Sequence, residues 1–132
     1  MDTLRRMLYL TALVWGLAGI LLIAVPRFLL VTLFSQPTYE EYAWVRIGGI
    51  DAVALALLAV LVAHHLEETW WWTWAFVIVA AGEAVVFTLN ALIGAPPGAA
   101  VWPWWLFAGG QWVLAAGLVY GLARAGVDRP PV

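Results

Sequence analysis

Four long apolar stretches set the limits on what this chain can fold into. They cover about residues 7–25, 43–64, 70–93 and 102–124. Each is close to the roughly 20 residues that an α-helix needs to cross the hydrocarbon core of a bilayer. Because that core holds no water, every backbone polar group has to pair within its own segment, which favours helices. The sequence therefore predicts an all-α polytopic membrane protein, a four-transmembrane-helix antiparallel bundle that forms a single domain over residues 1–132.

The composition supports this class and excludes others. Hydrophobic residues make up 65% of the chain and charged residues 11%, whereas about 25% of a typical soluble domain is charged. All basic residues are arginine, the net charge is -2 and there is no basic run, so nucleic acid is not an expected partner. The absence of cysteine rules out disulfides, thiol catalysis and thiolate metal sites.

Arginine placement predicts the orientation in the membrane. Arg5, Arg6, Arg124 and Arg129 flank the two ends of the chain, whereas the loops on the other side contain only Arg27. An even number of spans puts both termini on one side, and cytoplasmic segments carry the excess of arginine. We therefore expect an integral membrane protein with both termini in the cytoplasm.

Tryptophans mark the ends of the predicted spans. Indole favours the headgroup zone, because its body is apolar and its N–H needs a partner. We therefore interpret these side chains as membrane anchors in contact with lipid; stacking on a cofactor is the alternative. They are Trp44, Trp102, Trp104 and Trp105 at one side, and Trp70, Trp71, Trp72 and Trp74 at the other.

The first connection, residues 26–42, begins with a segment that is too apolar for a solvated loop. Two placements of residues 27–34 are open. The segment could lie in the outer membrane interface, or it could extend the first helix beyond a kink at Pro26.

A few polar side chains interrupt the apolar spans. At a rise of 1.5 Å per residue, Asp51, Glu83 and Gln111 lie roughly 12–15 Å inside the membrane. Arg46 and Asn90 lie roughly 4–5 Å below the outer boundary. Because ionisable residues in membranes usually face the bundle interior, the sequence predicts a stacked polar interior, open toward the outer side, in which these five residues bind a ligand.

A purely structural role is the alternative for each of them. Interhelical hydrogen bonding would explain Gln111 and Asn90 well. It explains the two acids less well, since neutral amides would serve equally, and two acids at one depth could share a proton. Arg46 and Asp51 are five residues apart, about 140° around a helix, so Arg46 is expected to reach Glu83 or Asn90, or to extend to the outer headgroups.

Small residues indicate where helices pack closely, although a pocket beside the acids is the alternative. They recur at helical spacing in the first, second and fourth spans: Gly16 and Gly19; Gly49, Ala52, Ala56, Ala59 and Ala63; Gly109, Gly110 and Gly117.

A histidine- and glutamate-rich segment, residues 64–68, closes the second span. Imidazole and carboxylate together can bind a divalent metal. No second cluster completes a coordination shell, so we interpret the segment as a solvated helix end and expect no metal site.

The chain resembles the DoxX-like small bacterial membrane proteins. The resemblance covers most of the chain and rests on four short spans, a first helix that ends at proline, an apolar outer loop and the sequence Arg46-Ile47-Gly48-Gly49. It implies a location in the bacterial inner membrane. It also implies an association with quinone or with the membrane subunits of quinone-linked redox enzymes.

Three functions follow as hypotheses. The first is a non-enzymatic membrane subunit or a module that binds a small ligand, a lipid or a quinone through the polar cluster. The second is a proton-coupled transporter of small molecules that acts as a homo-oligomer, because four helices enclose only a narrow pathway. The third is an enzyme that modifies a lipid or a quinone. No catalytic motif supports it, and the sequence requires no cofactor.

Overall fold

The structure is a computed structural model that describes residues 1–128, and these residues form helices joined by short connections. The all-α prediction is confirmed. The α-helices are α1 (Asp2–Ala24), α2 (Ala43–His64), α3 (Leu66–Thr69), α4 (Thr73–Leu89) and α5 (Trp102–Asp128). A 3₁₀ turn, Trp70–Trp72, joins α3 to α4, and π-helical turns cover Phe28–Leu33 and Asn90–Gly94.

Four helical segments are long and apolar enough to cross a membrane: Asp2–Ala24, Ala43–His64, Leu66–Gly94 and Trp102–Asp128. The second has the predicted bounds, and the others extend a few residues beyond the predicted apolar runs. The first extends furthest, because Asp2 in its first turn complements the helix dipole. Arg5 and Arg6 then continue the helix, since arginine is a good helix former.

The long helices pack in the order α2, α1, α5, α4. Helix α1 packs against α2 along its length and against α5, and α5 packs against α4, whereas α2 and α4 make few contacts. Helices α1 and α2 run antiparallel: Arg5 near the start of α1 donates from Nε to the carbonyl oxygen of Ala63 at 3.2 Å, while Gly19 further along α1 lies beside Gly49 near the start of α2. The weak contact between α2 and α4 leaves one side of the assembly open.

Glycines set the closest approaches between helices. A Cβ built on Gly19 would lie 2.6 Å from the carbonyl oxygen of Gly49, and one on Gly117 would overlap the end of the Met7 side chain. Close packing was predicted at all three positions and is confirmed. It is wrong for Gly109 and Gly110, because open space surrounds the position of a Cβ at each.

Several fully buried side chains lie at the end of the protein where Met1 and Asp128 meet. Leu4, Leu8, Ala63, Leu66 and Leu118 have no exposed surface. At this end the N-terminal amine lies 3.4 Å from Oδ2 of Asp128, so both ends of the described chain are on the same side. Arg129, which contributes to the orientation argument, lies outside the described residues.

The first connection begins with a break in the helix. Helix α1 ends at Ala24 and Val25 leaves helical geometry (φ -136°, ψ 52°). The chain then resumes a helical course at Pro26 and enters the π-helical turn Phe28–Leu33. The chain is therefore helical on both sides of a break at Val25, and the placement of residues 27–34 in the outer membrane interface stays a prediction. The cause of the break is Pro26, which has no N–H to donate to the preceding turn.

Candidate functional site

A hydrogen bond between two buried side chains links α1 to α5. The indole Nε1 of Trp15 donates to Oε1 of Gln111 at 3.3 Å, and the two residues are 4% and 9% exposed. The Trp15 ring also lies against Phe76 of α4, with the ring centroids 6.2 Å apart. Gln111 therefore acts as an interhelical tether, which is the structural role considered for it.

Glu83 lies on α4 two turns after Phe76, on the same face of the helix, because seven residues are close to two turns. It is half-buried. Thr88 marks the side of α4 that meets α5, since its Oγ1 accepts a hydrogen bond from Trp112 Nε1 at 3.1 Å. Glu83 is five residues before Thr88, about 140° around the helix. Its side chain therefore leaves α4 on the flank that is turned away from the contact between Thr88 and Trp112 of α5.

The Glu83 carboxyl group makes no hydrogen bond and no ion pair within residues 1–128. From α4 onward, the segment that carries it contains only three other polar residues, Thr73, Thr88 and Asn90. A carboxyl group in such an apolar segment is costly unless it has a polar partner. Thr73 Oγ1 is also buried without a hydrogen-bond partner among the described residues, but Glu83 is the ionisable group of this segment that lacks one.

Asn90 lies seven residues after Glu83, on the same face of the helix. It is half-buried and begins the π-helical turn Asn90–Gly94. Its side chain folds over Gly94, where a Cβ would overlap Oδ1 of Asn90. The amide is therefore held close to the end of the span, two turns beyond the Glu83 carboxyl group.

The prediction that Asp51 faces the same interior is wrong for the single chain. Asp51 is exposed on α2. The reason is the close packing of α1 and α2, which places Gly49 and Ala56 against α1. Asp51 precedes Ala56 by five residues and is therefore about 140° away from that contact. The three residues differ in burial: Asp51 is exposed, Glu83 is half-buried and Gln111 is buried. They therefore do not share one polar centre.

Arg46 is likewise exposed. It makes no ion pair or hydrogen bond through its side chain within the described part of the chain, so the expected contact with Glu83 or Asn90 is absent there. Two separate polar regions result. Glu83 and Asn90 lie along one flank of α4, while Arg46 and Asp51 lie on the outer surface of α2.

Gln36 is a polar residue whose importance the sequence analysis missed. It is 7% exposed. Its Nε2 donates to the carbonyl oxygens of Phe34 and Ala100, both at 2.8 Å, and its Oε1 accepts from Trp104 Nε1 at 3.2 Å. Gln36 thus fixes the first connection to the start of α5. A single glutamine after an apolar run belongs to no sequence pattern that would have predicted these contacts.

An apolar groove lies at the same end of the protein as Gln36. It has a volume of about 380 Å³ and is lined by Leu22, Leu30, Tyr39, Glu41, Trp44, Val45 and Trp104. A smaller hollow of about 280 Å³ lies at the opposite end and is lined in part by Trp70, Trp71 and Trp74. Neither includes Glu83 or Asn90, so both are separate from the polar flank of α4.

The segment at residues 64–68 shows local contacts. Nδ1 of His64 lies 2.9 Å from the carbonyl oxygen of Val60 and 3.3 Å from the Tyr9 hydroxyl oxygen. His65 contacts the carbonyl oxygen of Leu61 in the same way at 3.2 Å. Within residues 1–128, no group of three histidine, aspartate or glutamate side chains is placed to hold a metal ion.

No protein-family model matches the sequence, and its comparison with curated proteins and with solved structures gave no match. The resemblance to DoxX-like proteins therefore rests on the residues quoted for it.

Proposed function

We propose that the chain is a non-enzymatic integral membrane protein that binds a small amphiphilic molecule, such as a quinone or a lipid, beside Glu83. The unpartnered carboxyl group of Glu83, half-buried in the middle of an apolar span, is the observation that carries this proposal. The four apolar helices supply the membrane spans. The arginines near the two ends of the chain favour a cytoplasmic location for both termini.

The energetic argument starts from the cost of the carboxyl group. An acid at the centre of a spanning helix opposes membrane insertion by about 2.5–3.5 kcal/mol. A hydrogen bond between neutral helix residues offsets only about 0.6 kcal/mol on average. A glutamine would serve as a tether at lower cost. A bound molecule that hydrogen-bonds to Glu83 gives the acid a partner that the fold of one chain does not provide.

The hydrogen-bonding groups of Glu83 and Asn90, on one flank of α4, limit the class of ligand. A protonated carboxyl group can donate one hydrogen bond and accept others, and the Asn90 amide can do both. The surrounding surface of α4 is apolar: Val86 and Leu89 beside them are exposed. A molecule with a carbonyl or hydroxyl headgroup and a hydrocarbon tail matches this pattern, because it reaches the open side of α4 directly from the lipid. The flank contains no charged group that would select a phosphate.

A quantitative measurement of co-purified molecules tests the proposal. The wild-type protein, Glu83→Leu and the control Glu68→Leu are purified in native nanodiscs. Their quinones and lipids are extracted and quantified by mass spectrometry. Glu68 is exposed near the end of a span, so its variant should match the wild type. Glu83→Leu keeps a side chain of similar size but has no group to donate or accept, so the loss of one hydrogen bond should lower the content of the bound molecule about tenfold in this variant.

Equal contents in all three proteins, or no enriched molecule in the wild type, would overturn the proposal.

Proton-coupled transport is a second candidate, because it also requires an acid that can change its protonation within a span. It differs in one readout: reconstituted vesicles would show a proton flux that Glu83→Gln abolishes and Glu68→Gln preserves.

A further inference from the structure

The outer face of α2 carries a regular apolar seam. Its members follow one another at alternating spacings of three and four residues, which is the pattern of the a and d positions in a heptad. They are Ile47, Ile50, Ala54, Leu57 and Leu61, and all are exposed; the four large side chains are 46–62% exposed. The opposite face of α2 is occupied by α1. The seam is therefore free for another helix.

Two charged residues flank this seam. Arg46 immediately precedes Ile47 and so takes a g position, while Asp51 immediately follows Ile50 and takes an e position. In two parallel helices, the g residue of one lies beside the e residue of the other five positions later. Arg46 and Asp51 have this spacing. The same five residues keep them about 140° apart within one helix, so they are arranged to meet between two copies of α2.

The two charges lack partners in the single chain. Both side chains are exposed, and neither makes an ion pair or a hydrogen bond among residues 1–128. Arg46 can extend to the nearby headgroups. Asp51 is too short to do so, since it lies eight residues inside the span, roughly 12 Å deep. A cation from another molecule is therefore the partner that Asp51 requires.

We propose that α2 binds α2 of a second copy of this chain in parallel, about a two-fold axis normal to the membrane. Arg46 of each copy then pairs with Asp51 of the other. The apolar seam alone would not select this contact, because lipid tails are as apolar as leucine and isoleucine. The two reciprocal ion pairs supply the selectivity. The inference goes beyond the ligand site at Glu83 and does not depend on it.

Disulfide trapping tests the position of the interface. The chain has no cysteine, so single-cysteine variants report on one site each. Ile50→Cys and Leu57→Cys occupy d positions, which face each other across a parallel two-helix interface. Ile78→Cys on α4 is the control, because it is also highly exposed (69%) but lies away from the seam. In oxidised native membranes, the two α2 variants should cross-link to dimers and the control should stay monomeric.

Charge reversal tests the ion pairs. Arg46→Asp and Asp51→Arg, each combined with Ile50→Cys, should reduce the association constant of the dimer roughly tenfold, because two polar contacts become repulsive. Co-expression of these two variants with different tags should restore cross-linking between unlike tags, since every pair is then between opposite charges. The neutral variants Arg46→Gln and Asp51→Asn should reduce dimerisation by a smaller factor.

Several outcomes would overturn the inference. They are equal cross-linking at residues 50 and 78, a wild-type protein that is monomeric in membranes, single reversals that dimerise as the wild type does, and co-expressed reversals that do not recover. A seam covered only by lipid gives the second outcome. A seam that binds a different protein gives α2 cross-links to that protein in place of the dimer.

Discussion

Gly19 of α1 and Gly49 of α2 pack backbone to backbone. A Cβ on Gly19 would lie 2.6 Å from the carbonyl oxygen of Gly49, and a Cβ on Gly49 would lie 2.7 Å from that of Gly19. The contact is reciprocal, so neither helix can accept a side chain here without moving away from the other. Small residues permit this close approach, which maximises van der Waals contact where no hydrophobic driving force acts between helices.

Substitution at this crossing should therefore destabilise the protein. Gly49→Ala should lower the free energy of unfolding by about 1–3 kcal/mol, because the added methyl group meets backbone that cannot rotate aside. Gly48→Ala is the matched control: open space surrounds its Cβ position, and alanine favours a helix over glycine by up to about 1 kcal/mol. Titration with a denaturing detergent, followed by tryptophan fluorescence, measures both. A loss of stability of the same size in the two variants would contradict the assignment.

The hydrogen bond between Trp15 and Gln111 should also be measurable. Gln111→Leu leaves the buried Nε1 of Trp15 without an acceptor, which should cost about 1–3 kcal/mol of stability. Trp15→Phe should cost less in the Gln111→Leu background than in the wild type. A double-mutant cycle on detergent unfolding should then give a coupling near 0.6 kcal/mol. A coupling of zero would show that the bond does not stabilise the fold.

Gln36 offers a third prediction, on the first connection. Gln36→Leu removes three hydrogen bonds: one to Phe34 within the connection, and two that fix the connection to Ala100 and Trp104. The expected result is faster proteolysis between α1 and α2, together with a stability loss of about 1–3 kcal/mol. The neighbouring exposed residue Thr38 provides the control, since its side chain makes no hydrogen bond within residues 1–128. Equal cleavage rates in the two variants would contradict this role.

The orientation can be checked by labelling introduced cysteines with a membrane-impermeant maleimide. Asp2→Cys lies at the end of the protein where Met1 and Asp128 meet, and Pro97→Cys lies in the connection between α4 and α5; both positions are exposed. Since arginine is concentrated near the termini, intact cells should be labelled at residue 97, and residue 2 should react only after permeabilisation. The reverse pattern would show that the termini face outward.

The four long apolar helices could be predicted because length and hydropathy alone identify them. The second span even has the predicted bounds, residues 43–64. Polar and charged residues beside Ala43 and His64 leave little room to shift it. The ends of the other spans could not be fixed in this way. Arg5, Arg6 and Asp128 continue their helices outside the apolar runs, where hydropathy no longer decides the backbone geometry.

The direction of Asp51 could not be predicted from its depth. Depth follows from counting residues along a helix, whereas direction depends on which face meets a neighbour. The small residues around Gly49 and Ala56 contained that information, because a face that packs against α1 turns Asp51 outward. The role of Gln36 could not be predicted from the sequence for a different reason. Its partners Ala100 and Trp104 are more than sixty residues away in sequence, and no local pattern encodes such a contact.

The position of α1 between α2 and α5 affects the order in which the molecule can assemble during synthesis. Helices α1 and α2 leave the ribosome first, so their glycine crossing can form while the second half of the chain is still being translated. The face of α1 that carries Leu4 and Met7 can be covered only after α5 has been made, since it packs against Gly117 and Gly121 of that helix. Until then this face of α1 is exposed and can pack against helices of other proteins. A chaperone or insertase that covers it would act at this stage.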